Sequence, residues 1–273
     1  MNVKGDSSMN GEKKYGFGWL VGPALFVVGV AALLVTWKIL EPSHLVRLFD
    51  QDGRSPFELA TLPFYAAIIP LVWWKCPFDG SRTRRNVLCL MVSVVAVMAI
   101  VKELDLHNAA LHVLYPGFVG ENGSLRPDLL FKPNGKELTG TPFKMRVITN
   151  SGVPLGMKAL VVFYFAAFFG VFAAGFLYLL KTWVLGVFSL EPCAWSIGCF
   201  GASGVMVQVA DRLPSWLGHA HGLEKSADGT TAAQSLCTAL EEGGELLIAL
   251  LALLAIVQAH RALVSSSAGE ARE

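Results

Sequence analysis

The chain has 273 residues, 53% of them hydrophobic and only 16% charged, with a mean hydropathy of +0.52. A soluble domain carries about a quarter charged residues, so this composition argues against an ordinary soluble fold. A net charge of +1 supplies no general field for nucleic acid, and none is expected as a partner.

The apolar residues fall in long runs. From Tyr15 to Trp37 no side chain is charged, and about 20 such residues in a helix cross roughly 30 Å of hydrocarbon. The run has a basic flank, Lys13-Lys14, as a signal peptide would, but no small-residue cleavage site follows it. It therefore reads as a retained first span. The predicted spans are 17–37, 58–74, 86–106, 159–180, 192–211 and 241–260. The second contains Pro63 and Pro70, which interrupt the helical hydrogen-bond ladder and predict a kink. The fold class expected is an all-α integral membrane protein, a polytopic bundle of about six transmembrane helices with an extracytoplasmic loop cap. Its parts are an N-terminal tail 1–16, a membrane domain 17–260 that includes the outer loop 107–158, and a C-terminal tail 261–273.

Orientation follows from basic residues in short loops. Lys13 and Lys14 precede span one, Lys75, Arg82, Arg84 and Arg85 lie between spans two and three, and Arg261 follows span six. Six crossings put these on one side, which the positive-inside tendency assigns to the cytoplasm. Both termini are expected there, in the cell membrane.

The run Asn86 to Val101 has 16 uncharged residues and Leu246 to Ala259 has 14. Neither crosses unaided, so span three reaches full length with Glu103 and span six with Glu245 and Glu242. Span five ends at Asp211. All these ends share the outer face by parity, and carboxylates at such depth require partners. If Lys102 to His107 stays helical, Glu103 and His107 share a face. Glu241 and Glu242 at a helix N-terminus would be favoured by the exposed amides.

Two solutions satisfy these acids. In one, Glu103, His107, Asp211 and Glu245 are ligands to a divalent metal such as zinc, iron or manganese, with Glu242 activating water as the catalytic base. In the other, Lys102, Lys144, Arg146, Lys158 and Arg212 form ion pairs with them and the cluster is structural. His112, His219 and His221 are weaker ligand candidates. The five cysteines contain no CxxC, so they read as small packing residues, with Cys237 alone in a loop.

Pro127, Pro133 and Pro142 with Asn134-Gly135 predict turns and a hairpin in the outer loop, Asn122-Gly123 marks a further turn, and the loop is expected to pack over spans three, five and six. A structural or assembly role is the first reading of function. A metal-dependent membrane hydrolase or lipid-modifying enzyme is the alternative, and a transporter the third. Membrane lipid, a membrane-protein partner and a lipid-like substrate are the partners these readings imply.

Overall fold

In the computed structural model six helices among the described residues are long and apolar enough to cross a membrane, and the chain is an all-α polytopic membrane protein. The structure describes residues 17–49, 55–120, 124–126, 142–143, 145–217 and 231–270. The helices are α1 (Val21–Ile39, entered through a 3-10 turn at Gly18–Leu20), α2 (Pro42–Phe49), α3 (Pro56–Lys75), α4 (Arg82–Glu103), α5 (Leu106–Leu114) and α6 (Met145–Thr149). Then come α7 (Leu155–Phe165), a π-helical turn (Ala166–Gly170), α8 (Val171–Phe188), α9 (Pro192–Leu217) and α10 (Ala232–Glu270). The membrane-length segments are Gly18–Ile39, Pro56–Lys75, Arg82–Glu103, Leu155–Tyr178, Pro192–Leu213 and Ala232–Ser265. Each overlaps one predicted span.

Local chemistry explains several boundaries. Helix α3 starts at a capping box: the Glu58 amide donates to Ser55 Oγ at 3.0 Å and the Ser55 amide donates to Glu58 Oε2 at 2.7 Å. Pro56 occupies the first helical position, where no amide donor is needed. Pro63 and Pro70 both lie inside this one helix.

The chain divides into two compact units, Met1–Ser93 with Leu177–Glu273, and Val94–Phe176. In the first, α10 packs most extensively on α9 and also meets α1, α2 and α3. Its core includes Leu33, Leu45, Phe49, Ala239 and Leu247. Glycine permits the closest approaches. A Cβ on Gly22 would come 2.8 Å from Ser196 Cα, and Cβ atoms on Gly29 and Gly243 would collide with Leu247 and Leu33 respectively.

The second unit has a core of its own, drawn largely from the predicted outer loop. Leu111, Val119, Leu125, Val147, Val153, Met157 and Val161 are buried together. Val119 and Leu125 form an antiparallel bridge. Among the described residues there is no longer β-structure. Asn134-Gly135 lies outside the described residues.

Several expectations are corrected. The third span does not continue through Leu106. Asp105 takes a left-handed backbone (φ 52°) and opens a separate helix, so Glu103 and His107 do not share one helical face. Aspartate tolerates this conformation because its short carboxylate bonds locally, and here Asn108 Nδ2 donates to Asp105 Oδ1 at 2.6 Å. The sixth helix begins at Ala232, nine residues before the predicted start, because the segment 232–240 is rich in good helix formers although it is less apolar than residues 246–257. Glu241 and Glu242 are therefore interior to α10, where the helix-terminus argument does not apply, and Cys237 is a buried helical residue rather than a loop one.

Candidate acidic site

In the first unit the acids are set by α10. Glu242 and Glu245 are three apart, about one turn of helix, which brings them to a common side. Glu245 is buried and Glu242 half-buried, and each offers a carboxylate oxygen within 4.8 Å of the other. Between them, Gly243 receives Leu33 of α1 and Gly244 receives Val207 of α9. Tyr65 of α3, itself buried, donates its hydroxyl to the Glu245 backbone carbonyl at 3.2 Å. The acidic segment is thus where three other helices converge on α10.

Register fixes its depth. Gly29 meets Leu247 and Leu33 meets Gly243, so α1 and α10 run antiparallel with Glu242 near the level of Leu33. Leu33 lies four residues before Trp37, the last of the first uncharged run, which is about 6 Å along the helix axis. Glu245 lies nearer still to the middle. These carboxylates stand at the height of apolar side chains, as the short run after Glu245 predicts.

Asp211 differs in character. It is exposed on α9, and Arg212 Nε lies 3.2 Å from its Oδ2. A carboxylate matched by the next residue's guanidinium in solvent is a poor metal ligand.

In the second unit Glu103 is buried at the end of α4, with Lys102 Nζ 3.4 Å from its Oε1. His107 is held by its surroundings in α5. Its ring stacks on Tyr164 at 5.2 Å and meets the Phe143 edge at 4.6 Å. Nδ1 lies 3.3 Å from the Val101 carbonyl; since a carbonyl can only accept, this nitrogen carries the proton. Nε2 then keeps its lone pair and lies 3.7 Å from Asp105 Oδ1. Burial is the main cause that lowers the His107 pKa below the ordinary imidazole value, outweighing the opposing contributions of the Val101 carbonyl and Asp105. The aromatic partners Phe143 and Tyr164 have no signature in sequence spacing.

His112 is structural: Nδ1 meets the Val119 carbonyl at 2.9 Å and ties α5 to the bridge. Lys144, His219 and His221 lie outside the described residues, as does the Arg146 side chain. Lys158 is placed in the first turn of α7. A separate cavity of about 240 Å³ in the first unit is walled by Phe26, Trp183, Ala194, Trp195 and neighbouring apolar residues, without a charged group.

No protein-family model, no curated protein and no solved structure matches the chain.

Proposed function

We propose that the chain is a structural or assembly component of the cell membrane, and that its acids fix helix register rather than perform chemistry. The observation that carries this reading is the packing of the Glu242–Glu245 segment. Its two glycines are filled by Leu33 and Val207, and its backbone is held by Tyr65. Basic neighbours support it: Lys102 lies beside Glu103, and Arg212 beside Asp211. Polar groups held among packed helices specify register at modest net stability. The partners in this reading are membrane lipid and another membrane protein. Both termini face the cytoplasm, and Glu103, His107, Asp211, Glu242 and Glu245 gather at the extracytoplasmic end. The first two of these residues rest on the parity of the spans for their place beside the other three.

One observation favours the metal-hydrolase reading as second. Glu242 and Glu245 present two oxygens on one side of α10, which would hold one edge of a divalent cation, with Glu103 and His107 as further ligands. The two readings separate in one experiment. Purified protein is analysed for bound metal and for thermal stability, alongside Glu103→Ala, His107→Ala and Glu245→Gln. The structural reading expects a loss of stability in Glu245→Gln with no stoichiometric metal in any preparation. A near-equimolar metal in the parent protein that is lost from these variants would replace it with the enzymatic reading.

A further inference from the structure

The absence of a CxxC motif hides a thiol pair. Cys76 closes α3 and Cys89 lies on the second turn of α4, so the α3–α4 turn folds them together with Sγ atoms 3.9 Å apart. Arg85, one helical turn before Cys89, donates its Nε–H to Cys76 Sγ at 3.1 Å. Cys89 donates its S–H to the Val72 carbonyl at 3.5 Å. The two thiols differ in access: Cys76 is half-buried at the helix end, while Cys89 is 1% exposed.

We propose that Cys76 and Cys89 are a peroxide-reactive thiol pair, with Cys76 the attacking thiolate and Cys89 the resolving thiol that closes a disulfide. Three features make the assignment directional. A guanidinium faces Cys76 directly, and a cation in contact stabilises the thiolate that reacts. Burial by itself raises the Cys76 thiol pKa, but the hydrogen bond and charge of Arg85 hold it below the ordinary thiol value. A partially accessible, low-pKa thiol beside a second cysteine is the arrangement that captures a sulfenic acid before it oxidises further.

The backbone adds a further point. Cys76 adopts a left-handed conformation with φ 38° at the helix C-cap, a position that usually favours glycine.

The chemistry balances with a peroxide as oxidant. The Cys76 thiolate attacks one peroxide oxygen, an S–O bond forms, and the O–O bond breaks. Sulfur loses two electrons, the attacked oxygen stays on sulfur as the sulfenic acid, and the other peroxide oxygen leaves as hydroxide, which becomes water on protonation. The Cys89 sulfur then attacks the Cys76 sulfenyl sulfur. The S–S bond forms, the S–O bond breaks, and the departing hydroxide takes the Cys89 proton as a second water. Bond formation needs the sulfurs to close by about 1.9 Å from their 3.9 Å separation.

The test uses the full chain purified in detergent under reductant, then exchanged into hydrogen peroxide. Tryptic mass spectrometry should find the Cys76 peptide joined to the Cys89 peptide, since Arg82, Arg84 and Arg85 separate them. Cys89→Ser should instead accumulate a sulfenic acid at Cys76 that dimedone traps. Arg85→Gln should slow alkylation of Cys76 at pH 7 roughly three- to tenfold, with Cys199 unchanged as an internal reference. Oxidation of Cys76 to sulfinic acid in the parent protein without any Cys76–Cys89 link would overturn the proposal. So would equal Cys76 alkylation rates in the parent and in Arg85→Gln. The parent protein alone decides whether the disulfide forms, so a variant that fails to fold does not shelter the idea.

Discussion

Ser196 donates its hydroxyl to Gln258 Oε1 at 2.6 Å, joining α9 to α10 between helices that are otherwise apolar at this point. Ser196 is fully buried, and the same residue backs the close approach of Gly22 from α1. A single polar contact therefore sits where three helices meet. Interhelical hydrogen bonds of this kind contribute about 0.6 kcal/mol on average and up to about 1.7 kcal/mol. Ser196→Ala should destabilise the folded protein by about 1 kcal/mol, and a double-mutant cycle with Gln258→Leu should show coupling. Strict additivity of the two changes would mean that the bond contributes nothing to the fold.

Gly22→Ala should be more damaging than its one added methyl suggests. The new Cβ would meet the Ser196 backbone, 2.8 Å from Cα, and a backbone cannot swing away as a side chain can. Overpacking of this kind costs about 1–3 kcal/mol. Gly201→Ala is the control, because nothing lies within 4 Å of its Cβ position. Thermal unfolding in detergent should rank Gly22→Ala well below Gly201→Ala, and equal midpoints would contradict the packing described.

Ser55 joins the entry of α3 to the end of α2. Its Oγ accepts from the Glu58 amide and donates to the Phe49 carbonyl at 2.6 Å. Ser55→Ala removes both bonds at a buried site, and loss of such a cap costs about 0.5–2 kcal/mol. Ser55→Thr keeps a hydroxyl that can both accept from Glu58 and donate to Phe49, so its midpoint should fall between the parent's and that of Ser55→Ala.

The burial of His107 makes a prediction about acid. Its folded pKa lies below the unfolded value, with burial the leading cause. The unfolded chain therefore binds the extra proton first as pH falls, and stability rises with pH wherever it does so. The contribution is complete above the unfolded value of about 6.5 and is lost as pH drops from there toward the folded pKa. Melting curves between pH 7.5 and 5 should slope less steeply for His107→Gln than for the parent. An unchanged slope would place the acid sensitivity elsewhere.

The sequence made the helices legible because hydrocarbon imposes a length that uncharged runs reveal directly. It misjudged their ends where length was not the constraint. Residues 232–240 extend α10 through backbone propensity, and Asp105 ends α4's continuation by a left-handed turn stabilised from Asn108. The Glu242–Glu245 pair was visible because spacing within one helix is a local property. Arg212 beside Asp211 was also visible, as the next residue in the chain. The aromatic contacts of His107 and the pairing of Cys76 with Cys89 come from separate elements, and one-dimensional spacing carries no record of which turn brings them together.

The register of α1 against α10 has a consequence for what surrounds the shorter span. Residues 18–37 of the first span present about 30 Å of continuous uncharged helix, whereas residues 246–259 of the last present about 21 Å. These two helices are in contact and antiparallel, and from Ser235 to His260 α10 has no exposed residue. The shortfall of uncharged length is therefore met inside the protein: side chains of α1, α3 and α9, rather than acyl chains, stand at the level of Glu245. The lipid beside α1 meets a full-length span, while the short one is lined by neighbouring helices.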